Sequence, residues 1–372
     1  MSDAVIMTLD AGGTSFRFSA LSGHRAVTPV VTFPSHGDDL NLCLANLIKG
    51  FEQIREACPA RPAAISFAFP APADYPRGII GDLYNLPGFR GGVALGPLLE
   101  EKFQVPVFIN NDGDLFAYGE ASFGFLPHVN GLLEAAGSPK RYQNLLGVTL
   151  GTGFGGGIVR NGDLFLGDNS MAGEIWQFRH KLDPGISVEE GASIRAVRRV
   201  YAEEAGIPMA QAPDPRVIAE IATGAAPGHR AAALEAYRRM GEVVGDALAT
   251  ALSLVDGLVV IGGGLSNAYR LFLPAVVREL NGTYAPAGGA GRRRLETEVF
   301  NLEDGEQLAR FVGGNTCQIA VPLSGATVRY DRLSRLGVGV SRLGTSQAIA
   351  LGAYAFAVRA MAQGGRSAGL AP

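Results

Sequence analysis

The sequence predicts an α/β protein in two parts, and three observations support this. Apolar, β-like runs alternate with stretches of helical periodicity. Glycine-rich turns follow three of the apolar runs, at 10–14, 151–153 and 262–264. The order strand, glycine turn, return strand at 4–23 recurs at 144–167, a weak internal duplication of one topology. A chain of 372 residues, 47% of them hydrophobic, can fill one large core or two ordinary ones and lacks the composition of a disordered protein.

AVIMTLDAGG (4–13) reads as a buried strand ending in a turn, and FRFSALSG (16–23) and VVTFP (30–34) follow at hairpin spacing. LNLCLANLIKGFEQI (40–54) has helical periodicity, with Asp38 or Asp39 as its cap. AAISFAFP (63–70) and VPVFINND (105–112) are strands closed by Pro, Asn or Asp, and DLFAYGEASFG (114–124) is a helix. The second part opens with NLLGVTLGTGFGGGIVRNGDLFLG (144–167): strand, glycine turn, strand, the Asn161-Gly162 turn, strand. Helices are expected at about 188–205, 214–223 and 229–255. LVVIGGG (258–264) is a buried strand and LSNAYRLFLPAVVREL (265–280) the helix after it. PAGGAGRRRLETE (286–298) reads as a solvated basic loop, although its three arginines also suit a phosphate. TCQIAVPL (316–323) is strand-like, and TSQAIALGAYAFAVRAM (345–361) is a last apolar helix.

Composition excludes several function classes. A formal net charge of −3 leaves no basic footprint for nucleic acid. Cys43, Cys58 and Cys317 are scattered, with no Cys-x-x-Cys pair, so neither a disulfide framework nor a zinc knuckle is indicated. The N-terminal stretch has neither a basic segment nor a long apolar one, and no run reaches the ~18 apolar residues of a membrane span. A cytoplasmic protein without membrane attachment is expected.

Glycine turns at strand ends in an α/β sheet are where ligands bind. Backbone N–H groups in such turns, with a threonine hydroxyl, cradle phosphate oxygens; a glycine-rich hairpin with nothing bound is the alternative. The Gly-Lys-Ser/Thr ending of the Walker loop is absent, and no Gly-x-Gly-x-x-Gly opens a helix as in dinucleotide-binding folds. Two phosphate turns from two halves, plus a third glycine turn for a nucleoside, suit a nucleotide held in a cleft between domains.

The motifs LDAGGTSFR (9–17), NLPGF (85–89), INNDGDLFAYGEA (109–121), LGTGFGGGIVRNGDLFLG (150–167), AGEI (172–175) and LVVIGGGLS (258–266) follow one another in the order of a known family. The chain is thereby similar to ROK (repressor, open reading frame, kinase) proteins of the actin-like ATPase superfamily. The resemblance implies a two-lobed, ribonuclease H-like fold with the active site in the interdomain cleft. Residues 1–112 would form a small α/β domain completed by the C-terminal helix 345–372, and 113–344 a large one. It implies an ATP- and Mg²⁺-dependent sugar kinase acting on a free hexose or N-acetylhexosamine, most simply at the 6-hydroxyl, and a homodimer. Asp112 would be the general base; the same position at a strand end also suits a helix N-cap. Asn85, Asn111, Glu174 and Glu189 would contact the sugar, although Asn85 also suits an Asx turn before Pro87 and Glu189 an ordinary first-turn carboxylate. Gly12, Gly13 and Thr14, with Gly151, Thr152 and Gly153, would hold the ATP phosphates. Asp10 would steer Mg²⁺ through water. Gly262 and Gly263 would admit adenosine.

The chain departs from the family at one segment. Where a histidine and a cysteine cluster usually bind a structural zinc, Gly173-Glu-Ile-Trp-Gln177 carries Gln177, and RHKLDPGISVEEGAS (179–193) has no cysteine. His180 stands three positions late and lacks sulfur partners, so no zinc site is expected, and the loop must be held by packing, with Trp176 the candidate. A non-catalytic sugar-binding or regulatory protein is the rival reading. Regulators of the family carry an N-terminal DNA-binding domain, for which the residues before Asp10 leave no room.

Overall fold

The computed structural model describes residues 4–84, 86–285 and 289–364. Contacts gather the chain into two compact units, one drawn from Met1–Phe123, Asp163–Gly173 and Leu343–Pro372, the other from Gly124–Gly162 and Glu174–Arg342.

In the first unit, strands Val5–Ala11 and Ser15–Ser22 form an antiparallel hairpin in which Asp10 lies opposite Arg17. Strands Ala64–Ala68 and Val107–Asn110 then extend the sheet in parallel from Val5–Ala11. Their runs are apolar because both faces are covered. One face packs an aromatic core that includes Phe18, Phe51, Phe67 and Phe103, with the Leu40–Ala57 helix contributing Phe51. That helix is capped by Asp39, whose carboxylate accepts the N–H groups of Asn41 and Leu42. The other face receives helix Thr345–Ala362 through Leu351, Tyr354 and Ala357. Helix Asp112–Ser122 lies against Thr345–Ala362 at a glycine contact: a Cβ on Gly119 would collide with the Ala348 carbonyl, and one on Gly352 with that of Leu115.

The second unit repeats the opening. Strands Leu145–Leu150 and Phe154–Arg160 form a hairpin, and Leu258–Gly262 pairs in parallel with Leu145–Leu150. The next neighbours differ in order from the first unit: Arg335–Val340 lies beside Leu258–Gly262, and Glu298–Asn301, earlier in the chain, takes the edge. Helices Arg230–Val255 and Tyr269–Leu280 pack on this sheet, and Ile194–Ala205 and Pro215–Thr223 pack on Arg230–Val255. The helix expected over 188–205 is broken: Val188–Gly191 is a separate turn, and Ile194 starts afresh because its N–H donates to the Gly151 carbonyl, 2.8 Å away. Helices Leu95–Phe103, Phe125–Ala135 and Gly305–Gly313 were not expected from the sequence.

The basic stretch is not a plain solvated loop. Arg292–Arg293 pairs with Thr283–Tyr284, and the largely buried Arg294 bonds Glu279 and, at 2.8 Å, Asp246. Strand Thr316–Ala320 pairs with Thr327–Asp331 in a separate hairpin. Cys43 is buried, and burial pushes its thiol up to about 11; Cys58 and Cys317 are half-buried. No helix among the described residues is long and apolar enough to cross a membrane.

Candidate functional site

Parallel pairing brings the predicted residues of the first unit to one sheet edge. Val5–Ala11 and Val107–Asn110 both run parallel to Ala64–Ala68, with Ala68 opposite Asn110. The turn at 12–14 and the start of the Asp112 helix therefore lie at the same ends of two strands that flank Ala64–Ala68. The turn is held from behind by a residue the motifs did not single out. Ser35, buried, donates its hydroxyl to the Gly13 carbonyl (2.6 Å) and its N–H to that of Thr14 (3.1 Å). Gly12 donates its own N–H to Ser15 (3.0 Å), and a Cβ at Gly12 would sit 2.9 Å from the same oxygen. At Gly13 a Cβ would meet nothing within 4 Å. Asp10 is exposed at the strand end.

Asn111, not Asp112, caps the helix. Its Oδ1 accepts the Gly113 N–H at 2.8 Å, and Asp112 Oδ1 accepts the same N–H at 2.8 Å. Asp112 thus occupies the first turn, where the helix dipole favours a carboxylate. The protein packed around it desolvates the carboxylate and raises its pKa above the usual aspartate value, against the pull of the Gly113 N–H and its own. The residue is nonetheless exposed to solvent. Asn85 lies outside the described residues.

The second unit assembles the other half of the list. Thr149 pairs with Gly262, so the 151–153 and 262–264 turns leave the sheet side by side. The Gly151 N–H donates to the Gly153 carbonyl (3.0 Å), matching the way Gly12 is spent in the first hairpin. Among the described residues, no protein acceptor takes the N–H of Gly13, Thr14, Thr152 or Gly153. Gly151 has open space where a Cβ would stand. Gly153 does not: Glu189 Oε2 would lie 2.6 Å from it, because that oxygen accepts the Phe154 N–H at 3.1 Å. Gly263 has φ +84°, and a Cβ there would collide with the Leu150 carbonyl, so strand packing alone demands glycine. Beyond Gly264 a cavity of about 860 Å³ opens, lined by Pro215, Ala219, Thr223, Tyr237, Leu265 and Tyr269 among others. Its size is that of a small-molecule site.

Glu174 precedes the short turn Ile175–Gln177, which packs on both the Phe154–Arg160 strand and the Val188–Gly191 turn. Its carboxylate accepts the Trp176 indole N–H. Trp176, expected to pack the loop, is 38% exposed. His180, within the same loop, is buried. Among the described residues no group of three His, Cys, Asp or Glu is placed to hold a metal ion.

Two doubly extended α/β sheets, each beginning with a glycine-turned hairpin, define a protein of the actin-like ATPase fold. A crystal structure of a ROK hexokinase from Thermus thermophilus shares that fold, with a TM-score of 0.65 at 22% identity. The chain belongs to the ROK family, whose model matches residues 6–289. The crystal structure of a glucokinase from Parabacteroides distasonis superposes with a TM-score of 0.89 at 51% identity, covering 96% of this chain and 98% of that one. An N-acetyl-D-glucosamine kinase from Photobacterium profundum is 29% identical over 283 residues, 71% of this chain and 85% of its own length.

Proposed function

We propose that this chain is a sugar kinase that transfers the γ-phosphoryl group of ATP to the 6-hydroxyl of a free hexose or N-acetylhexosamine. The observation that carries the sugar-kinase reading is the 51% identity, over nearly the whole of both chains, with a glucokinase. The finer assignments rest on the residues. Phosphoryl transfer asks of the protein an aligned nucleophile, a base within reach and charge stabilisation on the moving group. Asp112 is the base: an accessible carboxylate, fixed by the first turn of a helix, whose raised pKa brings it nearer the proton it must take. Asn111, Glu174 and Glu189 hold sugar hydroxyls, and the Asn111 amide nitrogen remains for this after its oxygen has capped the helix.

Gly12, Gly13, Thr14, Gly151, Thr152 and Gly153 hold the phosphates. Supporting this, four of these residues keep N–H groups with no protein acceptor, and two keep an uncovered Cα. The nucleoside occupies the cavity beside Gly262–Gly264, where the half-buried Tyr269 side chain offers aromatic surface. Asp10 is an exposed hard-oxygen donor beside the first turn and fits Mg²⁺ held through water, which would neutralise phosphate charge when bound. The protein acts in the cytoplasm, whose reducing conditions suit three unpaired cysteines, and as a homodimer.

The test is ADP release from Mg-ATP across a panel of free sugars, with Asp112→Asn alongside. One or a few sugars should drive turnover, and the variant should lose about 10²-fold or more in kcat, as removal of a general base predicts. A sugar that raises thermal stability without stimulating ADP release would instead support a binding protein.

A further inference from the structure

The loop that follows the Ile175–Gln177 turn leads from Glu174 to Glu189. Its ends are tied by Val188 N–H to the Phe178 carbonyl (2.7 Å) and His180 N–H to that of Ile186 (3.0 Å). Its tip is organised by one side chain. His180 Nδ1 accepts the N–H groups of both Leu182 (3.1 Å) and Asp183 (3.0 Å). That assignment leaves the ring neutral with its proton on Nε2, since a protonated Nδ1 cannot accept. The other edge of the ring lies on the next turn: a Cβ on Gly191 would collide with Nε2, and the same position is closed by Val243. Gly191 ends the turn that carries Glu189, and Glu189 in turn lies on Gly153 and the Phe154 N–H.

We propose that His180 is a positioning residue for the sugar side of this site: it closes the 178–188 loop from within and seats the turn that presents Glu189 to the 151–153 hairpin. The proposal rests on the kinase reading for its effect on catalysis and on geometry alone for its effect on the loop. The charged groups around the ring are Asp183 in the loop, Glu190 on the turn, Arg199 and Glu203 on the Ile194–Ala205 helix, and Arg239 and Asp246 on Arg230–Val255. Burial, then Arg199, holds the imidazole below its ordinary pKa, against Asp183, Asp246 and Glu190. The staple is therefore intact at neutral pH and opens as the solution is acidified.

His180→Leu and His180→Asn in the full chain separate the acceptor from the volume, because the asparagine oxygen can take the place of Nδ1. For His180→Leu, the KM for the sugar should rise about tenfold, as expected for two stranded backbone donors, with the KM for ATP little changed. Hydrogen exchange across 178–191 should accelerate in the same variant. His180→Asn should restore most of both and, unlike the native chain, keep its protection as the pH is lowered through the range in which histidine protonates. Unchanged exchange and sugar KM in His180→Leu would overturn the proposal, as would equal losses in the two variants. Should the leucine variant not fold, the pH dependence of exchange in the native chain and in His180→Asn decides alone. Should no sugar be phosphorylated by the native chain, the kinase reading fails, while the exchange data still judge the staple.

Discussion

The glycines of the two hairpin turns differ in what a methyl group would meet, and that difference separates packing from ligand. Gly13 and Gly151 face open space at ordinary backbone angles. Gly13→Ala and Gly151→Ala should therefore change stability by no more than about 0.5 kcal/mol, the usual range for an unobstructed surface site. If phosphates lie against these turns, the same substitutions raise the KM for ATP. Thermal unfolding and steady-state kinetics on each variant check the pair of expectations, and native-like kinetics would refute the phosphate assignment. Gly153→Ala should behave differently. Its methyl group meets the Glu189 carboxylate, so the sugar KM rises first. The turns were legible because glycine density after an apolar run is a strong local signal. Ser35 and His180 were not, because a buried hydroxyl that braces a turn, or a ring nitrogen that accepts two loop amides, has no spacing rule and emerges only once distant segments meet.

At the level of elements, the helix that carries Asp112 depends on Gly119 and Gly352. Each lies where a Cβ would press on a carbonyl of the opposing helix. Gly119→Ala or Gly352→Ala should cost about 1–3 kcal/mol, the range for overpacking a tight contact, despite alanine's better helix propensity. A lowered Tm with reduced kcat is the expected result, since the helix start moves with its axis. Strands and the long helices could be read from the sequence because their periodicity is strong, as in 40–54 and 229–255. Neither of the short helices Leu95–Phe103 and Phe125–Ala135 has a side-chain cap, so neither announces itself. The exchange of the last two strands in the second sheet was equally hidden. Glu298–Asn301 is short, and Arg335–Val340 is interrupted by glycines, leaving little pattern from which to infer neighbours.

For the molecule as a whole, two carboxylates set opposite pH behaviours. Asp331 bonds the fully buried Arg335 at 2.6 Å. Burial pushes its carboxyl up, but Arg335 and the N–H groups of Asn315 and Leu333 prevail and hold it below the ordinary range. A depressed folded pKa stabilises above the unfolded value, about 3.9, and that contribution is lost as pH falls through the folded one. Asp331→Asn should therefore destabilise the protein at neutral pH and flatten the acid side of its stability profile in denaturant titrations. The pKa of Asp112 is raised, and the proposed base must be ionised to act. The acid limb of kcat/KM should accordingly lie above the ordinary aspartate pKa of about 3.9, and it should disappear from whatever activity Asp112→Asn retains.

The glycine contact between the Asp112 helix and Thr345–Ala362 also orders events in time. The partner that seats the Asp112 helix leaves the ribosome long after the strands it covers. Until then the nascent first unit carries Ile6, Phe108 and Leu115 without their cover, a sticky surface that invites chaperones. A chain arrested before Thr345 would thus lack the contact that seats the Asp112 helix.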